Sequence, residues 1–180
     1  MHGSLDAPHA PHGPRPRVVI RPRTDDDADA LVAILALVHV SDAYPMMAEH
    51  VSGDWLYDAG FAAAWVAEVD GCVAGHIAVA PGYGGSEIEA ATGRPAAQTL
   101  GITRFFVGPE GRGTGAASAL LDAVDQYAAT HNLALALDVI DVNQSAIRLY
   151  ERRGWRRIGA HQTDWFGADG PHPTVFVYVR

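Results

Sequence analysis

The segment from Arg104 to Ala119, RFFVGPEGRGTGAASA, limits the possible folds of this chain more than any other. An apolar run, Phe105–Val107, ends at Gly108-Pro109, and three glycines follow at positions 111, 113 and 115 before a helical pattern begins. A helix that starts at a glycine-rich turn binds anions, because its first turn has unpaired N–H groups and glycine lets a phosphate approach the backbone. The segment therefore predicts a ligand that carries phosphate groups.

The length of 180 residues, 48% of them hydrophobic, is enough for one domain with its own core. No apolar run reaches the roughly 18 residues that a membrane span requires, and the N-terminus lacks the apolar segment of a signal peptide. We therefore expect a cytoplasmic protein without a membrane partner. Residues 1–16 are rich in Pro, Gly and His and are predicted to form a disordered tail, and residues 17–180 to form the domain.

Charge and rare residues exclude several functions. The net charge of −8 argues against nucleic-acid binding. All 13 basic residues are arginine, which rules out Schiff-base chemistry on lysine and the lysine-containing P-loop. The single cysteine, Cys72, rules out an internal disulfide and is expected to be a small buried residue of a strand. The nine histidines have no metal-ligand spacing, so no metal is expected.

The hydrophobic pattern predicts an α+β fold. Its elements are a mixed, mostly antiparallel sheet of six or seven strands and about four flanking helices. Asp70-Gly71 is a strong hairpin signal between two of the strands, and Thr24 and Asn143 are expected to cap helices. A short helix is expected over residues 46–51, and one helical turn over 86–91. Predicted strands cover residues 17–21, 61–69, 72–80, 100–107, 133–140, 155–160 and 174–180.

The glycine pattern is compatible with two phosphate ligands. Gly111, Gly113 and Ala116 match the dinucleotide pattern G-x-G-x-x-A, and Asp138 ends the next strand as a ribose-binding acid would. A dinucleotide fold needs several further parallel strand–helix units, however, and only about 40 residues follow Asp138. The strands before the motif also form hairpins rather than crossovers. An NAD-dependent oxidoreductase is therefore the less favoured alternative.

Two motifs together favour coenzyme A. Arg112-Gly113-Thr114-Gly115-Ala116-Ala117 fits R/Q-x-x-G-x-G/A, and the segment Asn143–Trp155 fits N-x-x-A-x-x-L-Y-x-x-x-G-[FW]. In their order and spacing these motifs resemble those of the GNAT N-acetyltransferases, and the resemblance extends over residues 17–180. It implies a GNAT-like fold and direct transfer of an acetyl group from acetyl-CoA to a primary amine. The alternative within the same fold is a non-catalytic acyl-CoA sensor.

The resemblance also implies roles for individual residues. Tyr150 is expected to protonate the departing thiolate, or else to be an aromatic core residue. Asn143, two helical turns before Tyr150, is expected to face the ligand or to act only as a helix cap. Arg153 is a candidate for the adenosine 3′-phosphate. Pyrophosphate binding is expected from backbone N–H groups of Arg112, Gly113, Thr114, Gly115, Ala116 and Ala117, and pantetheine binding from the splayed strand of Phe105, Phe106 and Val107.

The sequence does not identify the amine that accepts the acetyl group. The acidic balance suits a cationic amine, either a small molecule or a peptide, and a homodimer is possible. Segments 39–57 and 81–98 are expected to decide specificity. No carboxylate occupies residues 104–107, where some members of the family carry one. The candidates for the general base are Asp42, His76, Glu87, Glu89 and Asp138, or a chain of water molecules.

Overall fold

The computed structural model describes residues 15–166 and 170–180. The tail predicted for residues 1–16 lies outside this part of the chain except for its last two residues. The described residues form seven strands and five α-helices. The strands are β1 (Val18–Pro22), β2 (Ala63–Val69), β3 (Cys72–Pro81), β4 (Thr99–Val107), β5 (Ala134–Ile140), β6 (Arg156–Gln162) and β7 (Thr174–Val179). The helices are α1 (Ala28–Asp42), α2 (Gly53–Leu56), α3 (Ser86–Thr92), α4 (Ala116–His131) and α5 (Gln144–Arg152).

The strands form one sheet in the order β1-β2-β3-β4-β5-β7-β6. Every neighbouring pair is antiparallel except β4–β5, which is parallel because α4 connects the two strands as a crossover. Strand β7 inserts between β5 and β6 and pairs antiparallel with both. The mixed, mostly antiparallel sheet predicted from the sequence is confirmed.

Helices cover both faces of the sheet, so that the molecule has three layers. On β5, Leu135 and Leu137 pack in the same core cluster as residues of α4 and α5, whereas Ala136 packs against Ile88 of α3. Alternate strand residues point to opposite faces, so α4 and α5 lie on one face and α3 on the other. Helices α1 and α2 cover the α3 face, beside Phe106 of β4.

Local signals explain most of the element boundaries. The side chain of Asn143 accepts a hydrogen bond from the Ala146 N–H at 3.2 Å, which confirms it as the cap of α5, and Gly154 follows the helix with φ 82°. The hairpin between β2 and β3 turns at Asp70-Gly71, as predicted, with both residues at positive φ. No helix in the described part of the chain is long and apolar enough to cross a membrane.

Two expectations were wrong. Cys72 is exposed rather than buried, because it is the first residue of β3 and lies at the solvent end of the hairpin. The short helix expected over 46–51 is a single 3-10 turn, Ala48–His50. Helix α2 begins only after Ser52, whose hydroxyl accepts a hydrogen bond from the Trp55 N–H at 3.3 Å. The helical turn expected over 86–91 is present as α3.

Candidate active site

Strands β4 and β5 separate halfway along β4. They pair only from Thr99–Ala134 to Gly101–Ala136, whereas β4 continues to pair with β3 as far as Val107. The β3–β4 register shifts between His76 and Ala78, and Arg104 on the opposing stretch has φ 51°. Beyond residue 101, β4 therefore has an open edge toward β5, and its backbone groups on that side are available to a ligand.

The loop between β4 and α4 holds unpaired N–H groups beside this gap. Gly113 and Gly115 have φ values of 75° and 94°, and a Cβ at either position would meet no atom within 4 Å. In the described part of the chain no hydrogen bond engages the backbone N–H of Gly113, Gly115 or Ala117. Because α4 is 16 residues long, its dipole adds positive potential at the same place. These donors fit a pyrophosphate.

Tyr150 approaches the gap from the side of α4 and α5. Its side chain is buried and packs against Phe105, with ring centroids 6.3 Å apart, and against Trp155 at 5.7 Å. Burial raises the pKa of the Tyr150 hydroxyl far above its usual value, and the nearby Tyr44 adds to this shift. The phenol carries its proton at neutral pH, as an unperturbed tyrosine also does, and so has a proton to donate.

Tyr44 reaches the gap from the opposite face of the sheet and was not singled out by the sequence analysis. Burial raises the pKa of its hydroxyl, toward which the backbone N–H of Phe105 points. Its ring packs edge-on against Trp55, with centroids 5.9 Å apart, and lies 6.5 Å from that of Phe106. The only signal in the sequence was its position in the aromatic-rich segment 39–57.

The two arginines of the predicted cofactor site, Arg112 and Arg153, pair with side chains of the protein itself. Arg112 bonds Asp42 at 2.8 Å and the Ser41 hydroxyl at 3.0 Å, at the end of α1. Arg153 binds Asp122 at 2.5 Å and Asp125 at 3.0 Å, which ties α5 to α4. A role for Arg153 at the adenosine 3′-phosphate stays a prediction, and this ion pairing disfavours it.

The structure distinguishes the candidate bases by their contacts. Asp42 is paired with Arg112, and Glu89 accepts a hydrogen bond from the Ala96 N–H at 3.2 Å. Glu87 contacts Gly159 of β6, two strands away from β5. Asp138 is exposed, lies two residues beyond the last β4–β5 pair and interacts with the Tyr83 hydroxyl. Its carboxylate is the best placed of the four.

His76 is part of a buried network instead. Its Nδ1 is 2.7 Å from the Arg104 carbonyl oxygen and its Nε2 is 3.3 Å from Arg23 Nη1. Burial lowers the pKa of His76 to about 4, and the charges of both arginines contribute. The imidazole is therefore neutral, donates from Nδ1 to the carbonyl and accepts from Arg23, which leaves neither nitrogen free for the acceptor amine.

The site combines a parallel strand pair that splays open, a loop of free N–H groups and a buried phenol. By class, this combination defines the protein as an acyl-CoA-dependent N-acyltransferase. The sequence profile of the Acetyltransferase (GNAT) family matches residues 31–155. The chain belongs to this family. No curated protein matches the sequence. In the described residues no group of three or more His, Cys, Asp or Glu side chains is arranged to hold a metal ion.

Solved structures share the fold. A putative acetyltransferase, yncA, from Salmonella typhimurium with acetyl-CoA has 18% identity and a TM-score of 0.69, over 91% of this chain and 92% of that one. The ribosomal-protein-alanine N-acetyltransferase from Brucella melitensis has 20% identity and a TM-score of 0.69, over 90% and 98%. Arabidopsis thaliana NAA60 with a bisubstrate analogue has 20% identity and a TM-score of 0.69, over 91% and 97%.

Proposed function

We propose that this protein transfers an acetyl group from acetyl-CoA directly to a primary amine. The observation that carries the proposal is the opening of β4 away from β5 next to the free N–H groups of Gly113, Gly115 and Ala117. The catalytic unit is residues 17–180. A cytoplasmic location and a homodimer are parts of the proposal that rest on sequence alone.

The chain's own groups would bind the cosubstrate along the gap. Backbone groups of Phe105–Val107 on the open edge pair with the amides of the pantetheine arm, while the side chain of Phe106 stays in the core. The free N–H groups of the loop and first turn of α4 hold the pyrophosphate, whereas the N–H groups of Arg112, Thr114 and Ala116 bond within the loop. Asn143 lies two helical turns from Tyr150, so its amide faces the same ligand while its oxygen caps α5. The Arg112 side chain reaches a phosphate only by leaving Asp42.

The chemistry removes two protons from the acceptor nitrogen and adds one to sulfur, and two residues are available to take part. Acetyl-CoA supplies the acetyl group as an activated thioester. Asp138, directly or through a water, takes a proton from the acceptor ammonium so that its nitrogen can form the new C–N bond. Tyr150 donates a proton to sulfur as the C–S bond breaks. The second proton of the nitrogen, which the new amide must lose, passes through water and restores the phenol. General acid–base catalysis of this kind contributes about 10²- to 10⁴-fold to the rate.

The test is a panel of primary amines, both small molecules and peptides, assayed for release of the free CoA thiol. We expect thiol release with at least one class of amine and a mass increase of that amine by one acetyl group. A protein that binds acetyl-CoA but releases no thiol with any of the amines would be the acyl-CoA sensor instead.

A further inference from the structure

Two arginine side chains, those of Arg23 and Arg104, lie on the face of the sheet that α1, α2 and α3 cover. Neither has a role in the proposed reaction. Arg104 Nε donates to the Trp55 carbonyl at 3.0 Å, and Arg23 Nη1 donates to the next carbonyl, that of Leu56. Both guanidinium groups lie over the ring of Phe61, that of Arg104 at 5.5 Å from the ring centroid and that of Arg23 at 5.9 Å. We call these two side chains the arginine pair.

In the described part of the chain no carboxylate lies within 4.0 Å of either guanidinium group. More distant carboxylates, Asp25 and Asp27 for Arg23 and Asp58 for Arg104, still act on their charges. The two guanidinium groups instead stack on aromatic rings, Arg23 at 3.9 Å from the centroid of Tyr57 and Arg104 at 4.1 Å from that of Trp55. Stacking uses the faces of the guanidinium groups, and part of each edge donates to the protein, including Arg104 Nη1 to the Thr103 hydroxyl at 2.9 Å. Neither Nη2 atom donates to another described residue.

The two half-buried guanidinium groups lose part of their hydration. Burial lowers the pKa of both arginines, and for both it is the largest cause of the shift. A bound anion would replace the lost water as the hydrogen-bond partner of the two Nη2 atoms. Because each of the two Nη2 atoms is able to donate to one oxygen, a carboxylate, with its two oxygens, is the anion that this pair fits best.

The arginine pair also lies beside the expected point of acetyl transfer. Arg104 immediately precedes Phe105 on the open edge of β4, and its charge acts on the Tyr44 hydroxyl in the gap. Asp138 lies on the same face of the sheet, because Ala136, two residues earlier on β5, packs against α3. The face thus presents positive charge on one side of the gap and a carboxylate on the other.

We infer that the acceptor is an amine that also carries a carboxylate, as a free amino acid does. The carboxylate binds the arginine pair, and the ammonium group lies toward Asp138. This inference rests on the proposed acetyltransferase function and names its substrate class. It differs from the cationic amine suggested by the net charge of −8, since that charge is a sum over the chain and does not describe this face.

The experiment compares acceptors matched in all but the carboxylate. Each set contains an amino acid, its primary amide and its decarboxylated amine, for example leucine, leucinamide and 3-methylbutylamine, with one set for each of several side chains. The amine of the amide is less basic, so a larger fraction of it is unprotonated at neutral pH. Amine basicity alone would therefore favour the amide as acceptor. We expect kcat/KM for the best amino acid to exceed that for its amide and amine by at least tenfold.

The variant Arg104→Gln tests the arginine pair itself. Glutamine is able to donate to the Trp55 carbonyl but has no charge, and we expect a tenfold or greater rise in KM for the amino acid with kcat/KM for its amide within twofold. Arg23→Gln serves as the second variant if Arg104→Gln does not fold. The matched control is Arg17→Gln, an exposed arginine beside β1, which we expect to leave both acceptors unaffected.

Three results would overturn the inference. The first is equal acetylation of amides and amino acids, which would leave the proposed function standing. The second is an equal loss of kcat/KM for amino acid and amide in Arg104→Gln, which would make the pair a support for α2. The third is failure to acetylate any amino acid while acetyl-CoA still binds. Failure of acetyl-CoA to bind would instead contradict the proposed function.

Discussion

Among single residues, Tyr150 makes the most specific contribution to the proposed chemistry. Its phenol carries a proton at neutral pH, and its ring lies beside Phe105 at the open edge of β4. The substitution Tyr150→Phe keeps the ring and its packing. We therefore expect kcat to fall by about 10²-fold or more, in the range for loss of a general acid, while the Kd for acetyl-CoA changes little. Steady-state kinetics and calorimetric binding measure the two effects separately.

A matched control removes a hydroxyl elsewhere. Tyr127 lies on α4 and packs on Trp65, away from the gap, so Tyr127→Phe should leave kcat unchanged. An unchanged kcat in Tyr150→Phe would make Tyr150 an aromatic core residue, the alternative that its sequence position left open.

His76 gives the stability of the fold a defined dependence on pH. Its pKa is about 4 in the folded chain and 6.5 in the unfolded chain. Between these values the unfolded state takes up a proton that the folded state does not, so stability falls as the pH drops through this window. At pH 4.5 the loss amounts to about 2 to 3 kcal/mol relative to pH 7. Asp27, whose pKa Arg21 holds at about 2, adds a further loss only below this window.

The variant His76→Gln should therefore lose this slope. Urea unfolding at pH 7 and at pH 4.5 measures it, and we expect the difference in the free energy of unfolding to be smaller in the variant by about 2 to 3 kcal/mol. Glutamine preserves a donor for the Arg104 carbonyl and an acceptor for Arg23. An identical slope in both proteins would show that other groups cause the acid sensitivity.

Among the elements, the loop that leads into α4 depends on glycine for both its shape and its free N–H groups. Gly115 has φ 94°, where alanine is strained by about 1 to 2 kcal/mol, and its Cβ would extend into the open space in front of the loop. We expect Gly115→Ala to raise the Kd for acetyl-CoA by tenfold or more, measured by calorimetry.

The β2–β3 hairpin offers a control with the same backbone strain. Gly71 has φ 85° and equally open surroundings, but it lies in the turn far along the sheet from β5. Gly71→Ala should lower the melting temperature to a similar extent and leave acetyl-CoA binding intact. Equal effects of the two variants on binding would mean that the glycines matter only for stability.

Which elements could be predicted from the sequence depended on the range of their signals. The Asp70-Gly71 turn, the Asn143 cap and the glycine-rich start of α4 are local patterns, and the structure confirms each of them. The place where β4 leaves β5 is different, because it follows from the longer pairing of β4 with β3 and from the register shift opposite Arg104. No local pattern encodes a competition between two neighbouring strands.

On the scale of the whole molecule, the same limit explains why the cofactor half of the site was predicted and the acceptor half was not. The cofactor motifs are continuous segments. The arginine pair, by contrast, joins Arg23 after β1, the α2 region at Trp55 and Arg104 of β4. Arg112 likewise meets Asp42, 70 residues earlier in the chain. Such contacts follow only from the sheet order, which brings distant strands together.

Thermal unfolding is the most direct test of which phosphate-containing ligand the protein binds. A ligand that binds only the folded chain at 100 times its Kd adds about 2.7 kcal/mol to the free energy of unfolding. For a domain of this size each kcal/mol raises the melting temperature by about 2 to 4 °C, so acetyl-CoA should raise it by about 5 to 10 °C.

The same measurement with NAD distinguishes the two phosphate ligands that the glycine pattern allowed. Among the strands that the structure describes, one pair, β4–β5, is parallel, whereas a dinucleotide site is built on several parallel strands with crossover helices. NAD at the same concentration should therefore leave the melting temperature unchanged. A shift with NAD but none with acetyl-CoA would mean that the gap between β4 and β5 does not hold coenzyme A, and the proposed transfer reaction would fail with it.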